Sequence, residues 1–85
     1  MRVWASIGKD HTVIKRAFGE SDQLDASHAL MECLEIIYKE LDVAEPVWVN
    51  KHARDLSQYR RTRFLPTDFL EPVNFDYMDI ELSQS

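Results

Sequence analysis

An apolar stripe runs through residues 19–42 of this 85-residue chain. At about 100° per residue, steps of three and four residues place side chains on one side of an α-helix. The stripe consists of Ala26, Leu30, Cys33, Leu34, Ile37 and Leu41. Ser21, Asp22 and Asp25 are each suited to cap the N-terminus of such a helix. The sequence therefore predicts one long helix that must be covered by a second layer of structure.

The N-terminal segment is the first candidate for that layer. Residues 2–7 (RVWASI) and 12–18 (TVIKRAF) are rich in β-branched and aromatic side chains that alternate with polar ones, and the Gly-containing GKDH lies between them. This pattern predicts a β-hairpin with a four-residue turn. Alternation places Val3, Ala5 and Ile7 on one face of its first strand.

The second half of the chain predicts two further elements. Pro46 breaks the chain, and Asn50 is suited to cap a shorter second helix that follows. Residues 64–72 (FLPTDFLEP) form a Pro-containing connector, and residues 73–82 (VNFDYMDIEL) form a final strand. Its alternation slips between Tyr77 and Met78, which predicts a bulge there.

The predicted order is ββααβ, in the α+β class. We expect an antiparallel three-stranded sheet, made of the hairpin and the C-terminal strand, with one long and one short helix packed on it. At this length, and with 45% hydrophobic residues, there is room for one core, so residues 1–85 are expected to form a single domain. A sheet this small has two edges, so a homodimer that extends or stacks it is also expected.

Composition limits the compartment and the cofactors. The single cysteine, Cys33, cannot form an internal disulfide, and the chain contains neither a signal-peptide pattern nor a long apolar run. We expect a cytoplasmic protein without a membrane segment. Two glycines give no phosphate-binding loop, so no cofactor is expected. His28 and Glu32 have a metal-binding spacing but lack further ligands, so no metal is expected either.

The net charge of −5 is unevenly distributed. Five basic residues and one acid lie between Lys51 and Arg63, and only acids follow. On a helical wheel centred at Leu56, the outer side of the second helix carries a candidate binding surface formed by Lys51, Arg54 and Arg61.

The other two arginines of the cluster, Arg60 and Arg63, fall on the inner side of that wheel. A guanidinium group near a core needs carboxylate partners, and the C-terminal strand offers them. We therefore predict internal ion pairs among Arg60, Arg63, Asp76, Asp79 and Glu81.

Two residues of the long helix, Ala29 and Ile36, fall on its solvent side. Ile36 is large enough to require an explanation there. Together with Trp4, on the hairpin, they form a candidate subunit or partner contact.

These features favour a small, non-catalytic module that interacts with another protein. Neither Cys33 nor Ser57 has an evident base, so no catalytic residues are predicted. One alternative is weak binding of RNA, DNA or a phosphorylated ligand through the basic surface. A second alternative is a small enzyme with a site assembled across a dimer interface from His11, His52 and nearby acids.

Overall fold

The computed structural model describes residues 1–83, and within them four antiparallel strands form one sheet. In chain order the elements are β1 (Arg2–Lys9), β2 (Thr12–Glu20), α1 (Ala26–Leu41), α2 (Asn50–Tyr59), β3 (Arg61–Phe64), a short 3-10 helix (Pro66–Asp68) and β4 (Tyr77–Leu82). The strands lie in the order β2-β1-β4-β3. Within these residues both helices cover the same side of the sheet, α1 over β2 and β1 and α2 over β3. On the opposite side, which we call the open face, no helix of the described part of the chain packs.

The predicted long helix is confirmed as α1. Asp25 is its N-cap and accepts a hydrogen bond from the His28 N–H at 3.0 Å, so the last of the three candidate caps is the one used. The buried side chains of α1 are those of Ala29, Cys33, Leu34, Ile37 and Leu41.

The expectation that Ala29 faces solvent is wrong, since it is only 1% exposed. The reason lies in β2, where Gly19 has no side chain and the α1 backbone approaches closely. A β-carbon on Gly19 would collide with the carbonyl group of Cys33. This approach brings the flank of α1 that carries Ala29 against β2, and the buried surface is therefore wider than the predicted stripe.

The hairpin is confirmed, but its turn is shorter than predicted. Lys9 pairs with Thr12, so only Asp10 and His11 form the turn, with φ values of 53° and 66°. Two successive left-handed residues are typical of the type I′ turn, whose twist matches that of the strands. Gly8 belongs to β1 instead. The pairing of β1 with β2 shifts after Ile7, which leaves a bulge in β2, whereas the predicted bulge at Tyr77 is absent from the continuous pairing of β1 with β4.

The sequence prediction missed β3, and the expectation of a three-stranded sheet is wrong. The second helix ends at Tyr59, because Arg60 adopts a left-handed conformation with φ 61°. The next four residues are extended and pair with β4, with Arg61 opposite Glu81 and Arg63 opposite Asp79. The C-terminal strand therefore lies between β1 and this extra strand.

The second helix begins where expected but is capped differently. Its N-cap is Val49 rather than Asn50, and the side chain of His52 supplies the capping bond. Nδ1 of His52 accepts the Val49 N–H at 3.0 Å, and the His52 N–H donates to the Val49 carbonyl at 3.0 Å. The ring of His52 stacks on Phe64 with a centroid separation of 4.1 Å. This histidine thus ties α2 to β3.

Candidate functional site

The predicted basic surface is divided between two elements. Lys51 and Arg54 lie exposed on α2, but Arg61 is the first residue of β3. Because side chains alternate along a strand, Thr62 and Phe64 point into the core, and Arg61 and Arg63 lie on the open face. The left-handed Arg60 separates the two groups, so Lys51, Arg54 and Arg61 do not form one helical stripe.

The register of the sheet orders the open face into two rows that cross all four strands. The first row contains Arg16, Ser6, Asp79 and Arg63, in strand order. The second row contains Phe18, Trp4, Glu81 and Arg61. In both rows an arginine of β3 stands directly opposite a carboxylate of β4.

Arg63 and Asp79 form the strongest ion pair of the open face. Two guanidinium nitrogens of Arg63 donate to the two carboxylate oxygens of Asp79, at 2.7 and 3.0 Å. This hydrogen bonding raises the pKa of Arg63. The guanidinium group also lies 4.0 Å from the ring centroid of Tyr77, a cation–π distance.

The Arg63 and Asp79 pair was expected inside the protein but lies on its surface, because the two side chains point away from the helices. The remaining residues of the predicted internal network also lie on the surface. Nη2 of Arg60 donates to the Ser83 carbonyl at 3.2 Å, and Oδ2 of Asp76 accepts the Asp10 N–H at 2.8 Å. Glu81 is exposed between Trp4 and Arg61. The predicted ion pair between Arg63 and Asp79 is therefore confirmed, but its predicted place in the interior is wrong.

A groove of about 750 Å³ lies along the open face, and Asp55 and Tyr59 of α2 contribute to its border. Trp4 contributes from the sheet and Tyr59 from the end of α2, and they are 49% and 67% exposed. Asp55 borders the groove and accepts a hydrogen bond from the Thr62 hydroxyl at 3.3 Å. The polar residues that line the groove, besides Tyr59, are Ser6, Arg16, Asp55, Arg61, Thr62, Arg63, Asp79 and Glu81.

The arginines of the open face differ in their partners. Arg63 is bound to Asp79, and Nε of Arg2 donates to Glu20 at 3.3 Å. Within residues 1–83, no carboxylate lies within 4.0 Å of Arg16 or of Arg61. These two guanidinium groups can therefore bind an anionic group of a ligand without breaking an existing ion pair.

The three residues of the predicted subunit contact do not share a surface. Trp4 lies on the open face, Ile36 lies on α1 at the opposite side of the molecule, and Ala29 is buried. Trp4 contacts Phe18 instead, with ring centroids 4.5 Å apart. Trp4 and Ile36 thus belong to different surfaces.

Two other side chains with reactive groups, His52 and Cys33, are enclosed, whereas His11 is exposed. His52 is 2% exposed, and its Nε2 lies 3.5 Å from the carboxylate of Asp68, while His11 is in the hairpin turn. The Cys33 thiol is buried against the Met1 carbonyl at 3.6 Å, and burial raises the pKa of this thiol. In residues 1–83 no cluster of three potential metal ligands occurs, and neither helix has the length and apolar character to cross a bilayer.

Sequence reasoning missed Arg16, Phe18 and Tyr59 as members of a surface. For Arg16 and Phe18 the sequence contains a signal. Trp4 and Ser6 lie on the face of β1 opposite its buried side chains, and Phe18 and Arg16 extend this face onto β2. For Tyr59 such a signal is absent, because a residue three positions after Leu56 lies only about 60° from it on a helical wheel, and this predicts the inner side of α2.

Comparison with protein-family models, curated proteins and solved structures gives no significant match.

Proposed function

We propose that this protein is a non-catalytic module that binds another protein through the groove on its open face. The observation that carries the proposal is the combination of two exposed aromatic rings, Trp4 and Tyr59, with two arginines that lack a carboxylate partner in residues 1–83, Arg16 and Arg61. Tryptophan, tyrosine and arginine are the residue types most enriched at the energetic centres of protein interfaces.

The chemistry of the groove defines the partner segment that would fit it. An apolar or aromatic side chain of the partner would occupy the space between Trp4 and Tyr59. Carboxylates beside it would bind the guanidinium groups of Arg16 and Arg61, which match carboxylates in bidentate geometry. Glu81 lies next to Arg61 and would favour a hydrogen-bond donor or a basic residue at that point. The matching segment therefore carries an aromatic residue flanked by mixed, mainly acidic, charges.

Nucleic acid is the second candidate ligand, because Trp4 and Phe18 could stack on bases and Lys51 and Arg54 are exposed on α2. The open face disfavours it. Glu81 and Asp79 stand in the same rows as the arginines, so they would face the same ligand. Phosphates repeat one charge along a strand, whereas a protein segment can match both signs. A protein partner therefore fits this surface better.

Two matched double variants separate these candidates. The groove variant is Trp4→Ala with Arg61→Glu, and the helix variant is Lys51→Glu with Arg54→Glu. Both replace exposed side chains, so circular dichroism and thermal melting should show folded protein in each case. The parent and both variants are immobilised and used to select binders from a displayed peptide library, and separately to bind a labelled single-stranded oligonucleotide.

We expect the parent to enrich peptides with an aromatic residue among acidic ones, and these peptides to lose at least about tenfold in affinity for the groove variant, which removes an interface centre. The helix variant should bind them as the parent does. The proposal is overturned if the groove variant retains the peptides. It is also overturned if only the oligonucleotide binds, in a salt-sensitive manner that the helix variant abolishes.

A further inference from the structure

The hydrogen bonds at the open end of the hairpin show which backbone groups of β2 point away from β1. The Met1 amino group donates to the Ser21 carbonyl at 2.7 Å, and the Ser21 N–H donates to the Met1 carbonyl at 2.9 Å. Doubly bonded pairs alternate with unbonded pairs in an antiparallel ladder, so the next bonded pairs are Val3 with Gly19 and Ala5 with Ala17. The backbone N–H and C=O groups that point away from β1 are therefore those of Arg16, Phe18 and Glu20.

The same three residues place their side chains on the open face. Phe18 contacts Trp4, Glu20 accepts a hydrogen bond from Arg2, and Arg16 lines the groove. The edge thus presents a base, an aromatic ring and an acid at intervals of two residues. When a second copy of this edge runs antiparallel to the first, the base of each copy faces the acid of the other, and the two aromatic rings face each other.

We infer that two copies of this chain associate by antiparallel pairing of their β2 edges, about a two-fold axis at Phe18. In this register Phe18 lies opposite the partner's Phe18, and Arg16 lies opposite the partner's Glu20. The outward backbone groups of Arg16, Phe18 and Glu20 then bind each other across the axis. Two symmetric pairs of opposite charge stabilise the contact, since opposite charges that face each other across strands attract. The two sheets become one continuous sheet of eight strands.

The other edge of the sheet, formed by β3, has a charge pattern that opposes symmetric pairing. The Leu82 N–H donates to the Arg60 carbonyl at 2.7 Å, so the alternation leaves the backbone groups of Arg61 and Arg63 pointing outward from β3. A symmetric pairing of two β3 edges would place Arg61 opposite the partner's Arg63. Like charges that face each other are destabilising. The charge pattern therefore favours self-association at β2 and opposes it at β3.

An exposed apolar side chain of α1, that of Ile36, lies near the β2 edge. The Trp48 indole N–H donates to the Tyr38 hydroxyl at 3.2 Å, which shows that the Tyr38 flank of α1 faces the segment leading into α2. Ile36 precedes Tyr38 by two residues, about 200° around the helix, and so lies on the flank toward the β2 edge. It is 39% exposed. Pairing of the edges would bring the two Ile36 flanks toward each other and remove apolar surface from water.

Analytical ultracentrifugation of the chain alone, from low micromolar to several hundred micromolar, tests the inference. The variants are Arg16→Glu, Glu20→Arg and the exchange that combines both. The parent should form a concentration-dependent dimer. Each single reversal makes both symmetric pairs repulsive and should raise the dissociation constant about tenfold or more, and the exchange should restore much of the loss because the charges are again opposite. Arg54→Glu, at an exposed position of α2 away from both sheet edges, is the matched control and should leave the dimer unchanged.

A second variant covers the case in which a charge reversal disturbs folding. Arg16→Pro removes an N–H group that is not bonded to β1, so the fold measured by circular dichroism should persist while the dimer is lost. A parent that stays monomeric at several hundred micromolar overturns the inference. So does a dimer that ignores both single reversals, or one that the exchange fails to restore. Because no partner protein is added, either outcome is independent of peptide binding in the groove.

Discussion

The ring of Tyr77 in β4 occupies the space above Gly8 in β1 that a side chain would otherwise fill. The guanidinium group of Arg63 covers the ring from β3. A stack of three residues on three adjacent elements of the sheet therefore closes one end of the open face. Gly19 has a comparable role on the other side of the sheet, where it admits the backbone of α1.

The two glycines predict a difference in stability. A β-carbon at Gly8 would displace the end of the Tyr77 ring, which can rotate away, but at Gly19 it would meet the backbone of Cys33. We expect Gly8→Ala to lower the free energy of unfolding by about 1–2 kcal/mol and Gly19→Ala by about 3 kcal/mol or more, because overpacking against backbone is harder to relieve. Urea denaturation measures both. Equal losses would contradict this account of the two sites.

His52 is predicted to matter more than its neighbour Asn50. His52→Ala removes the capping acceptor of α2 and the ring stacked on Phe64, so we expect a loss of about 2–4 kcal/mol in unfolding free energy. Asn50→Ala should cost about 0.5 kcal/mol or less, as a surface substitution away from the cap. Thermal and urea denaturation of both variants decide the point. A larger loss of unfolding free energy for Asn50→Ala than for His52→Ala would show that Asn50, the residue predicted from the sequence, caps α2.

Tyr38 gives a prediction for alkaline pH. Burial raises the pKa of Tyr38 to about 12, and the hydrogen bond from Trp48 partly opposes this. Between pH about 10, where the unfolded phenol ionises, and about 12, the unfolded chain releases a proton that the native chain retains, so stability falls as pH rises. Ultraviolet titration should show a late tyrosine component that is missing from Tyr38→Phe. The same component in the variant would exclude the assignment.

Cys33 is predicted to be unreactive in the native state. Its side chain is buried, and burial raises the pKa of the thiol, so the reactive thiolate is scarce. A disulfide reagent such as Ellman's should modify it only as fast as the protein opens, and promptly in denaturant. Rapid modification under native conditions, with no change in circular dichroism, would show that the α1 and β2 contact opens readily.

The sequence predicts the elements with strong periodicity and fails where a single residue changes the chain direction. The stripe around Ile37 identifies α1, and the alternation around Ala5 identifies the hairpin, because these patterns reflect burial directly. Arg60 carries no such signal, since its left-handed conformation depends on the contacts of the folded chain. A second helix that is predicted to continue past Arg60 leaves no residues for β3, and it places Arg61 and Arg63 on the wrong surfaces. The groove was hidden for the same reason, because it needs β3 beside β4.

The junction at Arg60 also constrains how the chain can vary in length. Strand side chains alternate, so inserting or deleting one residue between Tyr59 and Arg61 would exchange the two faces of β3. Thr62 and Phe64 would enter water, and two guanidinium groups would enter the core beside Met78 and Ile80. Among homologues with this fold, the number of residues between Leu56 and Phe64 should therefore be constant.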